Sequence, residues 1–435
     1  MKQRLLLINK SHRLGMLVLL VVGLGHLTSA QTAVTMNKLY RLNVNGTDRM
    51  TSTDPATEGC TSETCPSEGP MFYVPSGAVT GTLTLYRHNN GPDHRDSPKT
   101  EIPGYVNEGP NGFPWKGQVL PGLSPLLDGF NQTTGDHALV SPMESLPDYT
   151  RRSLGVYGYP RFGNTTESML ALTAGGVRIE SNRVNGGALR RWTWNGKQFL
   201  SDVDASSGSY SILFLNNYAD FLNENVDDCQ NHAPITLAVN EGSTQSTTAV
   251  PLANSFAHPG GDPCLNPVVW IDALVGKRVR LNFRGLGPVA KYTTSLWLPG
   301  PLSAVDFYHP ITLVNPEFNR YWTYDAETDD LQEVTLADAC EDSHPFFPGF
   351  GGIILSDQSA QYAMGIYAVN VSQGGSITAL NLLRHSCNDG TYSRMDVIRS
   401  ADLPAGSSTY NAYVMSSDVQ QVRQYMRKLF AGGVR

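Results

Sequence analysis

A chain of 435 residues with 16% charged side chains, 42 glycines and 27 prolines is long enough for one large domain or two smaller ones. So few charges among so many turn-formers suit stacked sheets better than helical bundles. The formal net charge of −7 excludes the concentrated basic surface that nucleic acid demands, and the dispersed lysines and arginines form no patch for a membrane surface.

The chain opens on Lys2, Arg4, Lys10 and Arg13, followed by a short apolar run over 16–24 and the small residues Thr28-Ser29-Ala30 before Gln31. This is the layout of a cleaved secretory signal over 1–30, with an apolar run too short to span a bilayer. The expected location is therefore extracellular or periplasmic. No cysteine at the cleavage point offers a lipid anchor, and no later segment is apolar enough for a membrane helix. The six cysteines, Cys60, Cys65, Cys229, Cys264, Cys340 and Cys387, are an even number in an oxidising compartment and read as disulfides. Sequence alone permits any pairing, and nearest neighbours are expected to pair. Glycosylation sequons stand at Asn45, Asn131, Asn164 and Asn370, no more than chance placement gives.

Residues 31–165 form a Gly/Pro-rich N-terminal region or small β subdomain, with short β runs over 71–74 and 79–86 and a turn at His88-Asn89-Asn90-Gly91-Pro92. No repeat of the propeller or solenoid kind is visible. From 166 to 435 the pattern sharpens. Val177-Arg178-Ile179-Glu180 alternates, and Val184-Asn185-Gly186-Gly187 breaks the run. Arg191-Trp192-Thr193-Trp194, Asn195-Gly196 and Lys197-Gln198-Phe199 then read as a hairpin, because Asn-Gly tolerates the positive φ of a two-residue turn. That loop pairs Trp194 with Lys197 and Trp192 with Phe199, all on one face. Further strands are expected over 210–215, 268–274, 277–283, 352–355, 363–369, 376–383 and 409–415. In 277–284, Val279, Leu281 and Phe283 alternate with Arg278, Arg280, Asn282 and Arg284, so one face is buried and the other basic and wet. One helix closes the chain over 417–431: Ser417-Asp418-Val419-Gln420 is its capping box, Val419, Val422, Met426 and Leu429 its apolar stripe, and Gly432 its stop.

The segment VRIESNRVNGGALRRWTWNGKQFL resembles the opening of galactose-mutarotase-like β-supersandwich domains, and GGIILSDQSAQYAMGIY resembles a strand pair of secreted relatives of that fold. The resemblance covers about 170–415. It implies an all-β fold, a large antiparallel β-supersandwich with one C-terminal helix, of the kind found in aldose epimerases and in modules of glycoside hydrolases and polysaccharide lyases. No motif aligns a particular residue with the catalytic His or carboxylate of the epimerases.

The signatures of lipases, zinc proteases and nucleotide enzymes are absent. The densest polar-aromatic stretch runs from Asp306-Phe307-Tyr308-His309 to Glu317, Arg320 and Trp322. Sugar chemistry needs carboxylates or a His to move protons and aromatic faces to stack pyranose rings. Asp306, His309 and Glu317 are thus the candidate catalytic residues, and Arg320, Trp322, Trp192 and Trp194 the candidate substrate contacts. The alternative places Tyr308 and Trp322 in the core, leaves Glu317 solvated, and makes Trp192 and Trp194 cross-strand packing. Asp202-Val203-Asp204 and Asp325, Glu327 and Asp329 echo calcium loops without the Gly those loops require, and the acidic run 223–228 reads as an exposed loop. No metal and no cofactor are expected. The reading is a secreted carbohydrate-active protein acting on a polysaccharide or oligosaccharide. A non-catalytic glycan-binding or cell-surface structural protein on the same scaffold is the alternative.

Overall fold

The structure is a computed structural model. It describes residues 33–55, 58, 64–118, 120, 123–142, 146–160, 169–182, 186–201, 208–215, 220–223, 233, 235–255, 268–270, 273–337, 340–346, 350–369, 377–387 and 390–434. The leader, Cys60, Cys229, Cys264, Asp202, Asp204, most of the acidic run, and the sequons at Asn164 and Asn370 lie outside the described residues.

Alternation of apolar residues builds two large antiparallel sheets that face each other. One has nine strands in the order Ile235–Glu241, Thr244–Ala249, Leu274–Arg280, Val289–Leu298, Gly406–Ser417, Ala363–Val369, Phe350–Ser356, Arg320–Asp325 and Asp330–Val334. In the other, neighbouring strands run Met169–Ala174, Val177–Asn182, Leu189–Trp194, Ser209–Leu215, Leu302–Val314, Gly390–Leu403, Ile377–Cys387 and Glu341–Phe346. Trp192, Phe199, Met395 and Val397 from this second sheet interlock with Tyr292, Ile353, Ile366 and Val414 from the first. At about 1.5–3 kcal/mol for each large apolar side chain removed from water, this layer is the main stabiliser of the sandwich.

The Asn-Gly hairpin forms as its local chemistry dictates. Asn195 and Gly196 take φ of 48° and 75°, Trp194 pairs with Lys197, and the Phe199 amide donates to the Trp192 carbonyl. The helix is Val419–Ala431, and its buried stripe is Val419, Val422, Met426 and Leu429. It begins one turn position later than the capping box suggests. Asp418 is the cap, accepting from the Gln421 amide at 2.8 Å, because Ser417 is still the last residue of a strand and pairs with Ala363. The end is a Schellman motif: Val434 and Gly433 amides donate to the Leu429 and Phe430 carbonyls, with Gly433 at φ 80°. The helix lies on the outer side of the nine-stranded sheet, where Gly352 and Gly365 leave room for Met426 and Val422. Cys340 and Cys387 are bonded to each other, as nearest-neighbour pairing requires, and Cys65 is also disulfide-bonded.

Three strand expectations change. The strand over 277–283 ends at Arg280, and Phe283 opens the short 3₁₀ turn Phe283–Gly285. Of 79–86 only Tyr86 enters a strand, Tyr86–Asn89. The 268–274 run splits, since Val268–Trp270 pairs with Ala33–Val44 while Leu274 starts a strand of the nine-stranded sheet. The Asp325 to Asp329 segment is the turn of a hairpin, where Asp325 Oδ1 accepts from the Glu327 amide at 2.8 Å.

Residues 33–160 hold an internal threefold repeat. Each repeat is a hairpin whose first strand also pairs with a third: Ala33–Val44 with Asp48–Ser52 and Ser67–Pro75, Tyr86–Asn89 with His94–Ser97 and Val106–Pro110, and Ser124–Asn131 with His137–Val140 and Tyr149–Pro160. The three second strands meet in the middle. The sequence signal is short: Asn-Gly-Thr-Asp48, Asn-Gly-Pro-Asp93 and Thr-Thr-Gly-Asp136 in the turns, with Ser-Glu-Gly-Pro70 and Asn-Glu-Gly-Pro110 in two of the third strands. Equivalent first-strand positions carry Arg41, Arg87 and Asp128, each facing its central strand, and each pairs with a charge on its third strand: Glu68, Glu108 and Arg152. The third repeat has exchanged the signs and kept the pair.

Candidate active site on the outer face of the second sheet

Two buried polar clusters are built on these strands, and they differ in how completely they are satisfied. At the junction of the three repeats, Asp48, Asp93 and Asp136 bring oxygens within 4.8 Å of one another. Each caps the backbone of the next repeat in a closed cycle. Asp48 accepts from the His94 amide at 2.9 Å, Asp93 from the His137 amide at 2.7 Å, and Asp136 from the Arg49 amide at 2.9 Å. The second oxygens are taken by His94 Nδ1 at 2.6 Å, the Tyr105 hydroxyl, and Arg49 Nη1 at 3.1 Å with the Tyr149 hydroxyl. Burial works to lower the His94 imidazole, but the hydrogen bond and charge of Asp48 outweigh it and raise it above its usual range. Asp93 is pushed up by burial, against the Tyr105 hydrogen bond. These three carboxylates are the described residues grouped closely enough to hold a cation, and every oxygen already has a protein donor.

The second cluster lies on the face of the second sheet that points away from the facing sheet. Met395 and Val397 point inward, so Tyr392, Arg394 and Asp396 point out. Register sets Asn381 opposite Asp396 and His385 opposite Tyr392, while Tyr308 and Tyr210 come from the next two strands. Asp396 is wholly buried. Its Oδ2 accepts from Arg394 Nε at 2.9 Å and from Asn381 Nδ2 at 3.4 Å, and its Oδ1 finds no hydrogen-bond partner among the described residues. Burial pushes the Asp396 carboxyl up, against the charge of Arg394. Burial would lower Arg394, but Asp396, Tyr210 and Tyr392 outweigh it and hold the guanidinium charged. His385 stacks on Tyr392 with ring centroids 4.4 Å apart and an interplanar angle of 11°. The strand that carries it ends in the Cys340–Cys387 bond, with Cys387 Sγ 3.6 Å from His385 Nδ1. The Arg394 side chain keeps 24% of its surface exposed, so the cluster reaches solvent there. A buried carboxyl raised by burial, beside a fixed cation and an amide, has parts of an acid–base site, while His385 and Tyr392 stand on the same face four residues, about 13 Å, along the strand.

The residues singled out in the sequence are not gathered at one point. Asp306 shares this outer face but pairs with Ser400, about 13 Å along the strand from Asp396 at ~3.3 Å per residue, and accepts from the Ser400 hydroxyl. His309 points the other way, into the core, between Phe307 at 4.8 Å and Tyr410 at 4.9 Å. Neither of its nitrogens has a hydrogen-bond partner among the described residues, and burial, with Arg399 nearby, lowers its pKa to about 3. Glu317 is exposed at one end of the sandwich, 3.0 Å from Lys197 Nζ. Asp306, His309 and Glu317 therefore do not form a catalytic set. Trp192 is core, its Nε1 donating to Ser416 at 2.5 Å, and Trp322 is buried under the helix layer. Arg320 lies over Trp322 at 4.9 Å and is held by Glu333 at 2.8 Å. Trp194 is half-buried against Tyr362. Of these residues, Arg320 and Trp322 touch each other, and Glu317 and Trp194 share a neighbourhood through the Lys197 hairpin.

The Asp396 cluster escaped the sequence reading. Its local signal is Tyr392-Ser-Arg394-Met-Asp396-Val, a period-2 run in which the charged residues alternate with core residues. An ionic residue opposite a core position within a strand is the pattern that marks it.

The architecture is an all-β sandwich with one C-terminal helix. No protein-family model matches the chain, and no curated protein matches it in sequence. Among solved structures it is similar to an aldose 1-epimerase-like protein of Escherichia coli K12, at 10% identity over 58% of this chain and 99% of that one, TM-score 0.37. It is also similar to a heparan sulfate lyase of Pedobacter heparinus, at 10% identity over 59% of this chain and 37% of that one, TM-score 0.31. An α-galactosidase of Lactobacillus brevis is similar at 10% identity over 58% of this chain and 40% of that one, TM-score 0.33. The chain thus spans nearly all of the first and well under half of the other two. Identity is 10% in each case, and each likeness extends over only part of this chain.

Proposed function

We propose that this protein acts on a polysaccharide or oligosaccharide outside the cell, with Asp396 as its acid–base residue. The observation that carries the reading is Oδ1 of Asp396: a fully buried carboxyl with one oxygen held and the other without a donor among the described residues. Leaving a buried charged acceptor unmade costs at least about 1–3 kcal/mol, a cost that a sugar hydroxyl at that oxygen removes. Burial favours the protonated acid, which can then donate to a glycosidic or ring oxygen. Arg394 stays charged to bind an oxygen that gains negative charge. Tyr308 and Tyr210, buried with Ile311 and Leu313, wall the site on the neighbouring strands, and His385 and Tyr392 lie on the same face about 13 Å along the strand. The leader over 1–30 supports secretion.

The test is product release from a panel of polysaccharides by secreted wild-type protein and by Asp396→Asn, which keeps the shape and the acceptor for Arg394. Positioned acid–base groups contribute about 10²–10⁴-fold, so the variant should lose that much turnover while still binding. Asp396→Asn working at the wild-type rate, or wild-type protein that binds glycans and releases nothing, would overturn the proposal. The second result would favour a non-catalytic glycan-binding protein.

A further inference from the structure

The strand Leu274–Arg280 separates a buried row from a wet one. Val275 and Val279 face the interior, while Arg278 and Arg280 are exposed on the outer side of the nine-stranded sheet. Register places Lys291 directly opposite Arg280, and Thr293 opposite Arg278. Like charges facing each other across two strands are destabilising, and no carboxylate among the described residues pairs with them. Among the described residues none of the three cations has an ion-pair partner. The carboxylate on the same row is Glu241, which pairs with Thr244, which in turn pairs with Arg280. Two strand spacings put the backbones of Glu241 and Arg280 about 10 Å apart, and no ion pair joins their side chains among the described residues.

This arrangement is at odds with the rest of the chain. A protein with a net charge of −7 engages Arg41, Arg49, Arg87, Arg320, Arg394 and Arg423 with carboxylates, yet these three cations stand together with no carboxylate partner among the described residues. Along the same face the residues turn neutral and polar. Thr293 Oγ1 donates to Asn411 Oδ1 at 2.9 Å, Ser295 and Thr409 lie opposite each other, and Trp297 is 37% exposed beyond them. Anion-binding cations, exposed hydroxyl and amide groups and an open indole are the contacts that a charged sugar chain uses.

We propose that the outer face of the nine-stranded sheet, centred on Arg278, Arg280 and Lys291 and extending to Trp297, docks an acidic polysaccharide bearing carboxylate or sulfate groups. The docked chain neutralises the Arg280–Lys291 pair and lays sugar rings along the row of Thr293 and Asn411. A nucleic acid is disfavoured, because three cations on an acidic protein fall short of the basic stripe a phosphate backbone needs. The inference rests on the carbohydrate reading and adds the class of polymer. It concerns a different face from Asp396, so the two can fail separately.

The test is affinity electrophoresis of the full secreted chain in gels carrying polygalacturonate, chondroitin sulfate or a neutral galactan, with duplex DNA as a further probe. Wild-type protein should be retarded by at least one acidic polymer more than by galactan. That retardation should vanish towards about 1 M salt, where the screening length falls to ~3 Å. The triple variant R278Q/R280Q/K291Q should bind the acidic polymer roughly tenfold more weakly or worse, the loss expected when several charge-assisted contacts go. It should keep the wild-type melting temperature and turnover on small substrates, while R278K/R280K retains most of the retardation. Triple-variant protein that binds as wild type, wild-type protein that prefers no acidic polymer, or equal retardation by duplex DNA would each overturn the proposal. If no glycan is processed while the acidic polymer still depends on these cations, the Asp396 reading falls and this one stands.

Discussion

The threefold N-terminal unit and the sandwich both bury charge, and they treat it in opposite ways. In the unit, six oxygens of Asp48, Asp93 and Asp136 all have donors, and each aspartate ties the backbone of the next repeat to its own. On the sandwich, Asp396 has one oxygen tied and one bare. A closed network of buried charge is an element of structure, and removing a member leaves its partners stranded. An open one holds a free energy cost that a ligand can relieve, which is how a site differs from a joint. His88 in the unit and His309 in the sandwich are both buried with neither nitrogen partnered among the described residues, and burial keeps His309 neutral.

The comparison breaks most easily at the ring. Asp136→Ala should cost about 3–5 kcal/mol, because the Arg49 guanidinium, its amide and the Tyr149 hydroxyl lose their acceptor in a buried place. Thermal unfolding of the variant should show the loss directly. A change below about 1 kcal/mol would mean that the ring is not what joins the repeats.

His309 sharpens the contrast by pH. Its folded pKa of about 3 lies below the ordinary value of 6.5, so the neutral imidazole contributes stability that is full above pH 6.5 and is lost as pH falls from 6.5 towards 3. At ~1.4 kcal/mol per unit the whole window amounts to roughly 5 kcal/mol. His309→Phe, seated between Phe307 and Tyr410, should flatten that part of the stability–pH curve in denaturant titrations. An unchanged curve would place the acid sensitivity elsewhere.

Two smaller effects separate packing from backbone conformation. A Cβ at Gly365 would lie 2.6 Å from Val422 and 2.7 Å from Met426, so Gly365→Ala should cost about 1–3 kcal/mol by pushing the helix off its sheet. A Cβ at Gly196 meets nothing within 4 Å, yet φ there is +75°. Gly196→Val should cost about 1–3 kcal/mol through strain alone, and should shift the fluorescence of Trp192 and Trp194 if it moves the register. Denaturant midpoints followed by tryptophan emission check both, and a silent Gly196→Val would mean the turn does not set the hairpin.

What could be read from the sequence was local. Asn195-Gly196 announces its turn because both special φ values belong to adjacent residues. The stripe of the last helix recurs within two turns, and Cys340 and Cys387 close a loop of neighbouring strands. The aspartate ring was not legible, since its motif is four residues long and recurs at the unequal positions 48, 93 and 136. The Asp396 site was hidden for a related reason: Tyr210, Tyr308, Asn381 and Asp396 lie on four strands that only the sheet order brings together. The dense stretch from Asp306 to Trp322 misled because closeness in sequence along a strand sends alternate residues to opposite faces. Asp306 and His309 were separated in that way, with a register shift between Tyr308 and Ile311.

The contrast between a closed ring and an open carboxyl is tested most directly by a crystal structure of the protein soaked with an oligosaccharide product of its best polysaccharide. The account expects a sugar hydroxyl or ring oxygen at hydrogen-bond distance, about 2.6–3.0 Å, from Asp396 Oδ1, with the Asp48, Asp93 and Asp136 ring unchanged. No sugar at Asp396, whether or not one is bound elsewhere, or a protein donor found already occupying Oδ1, would contradict it.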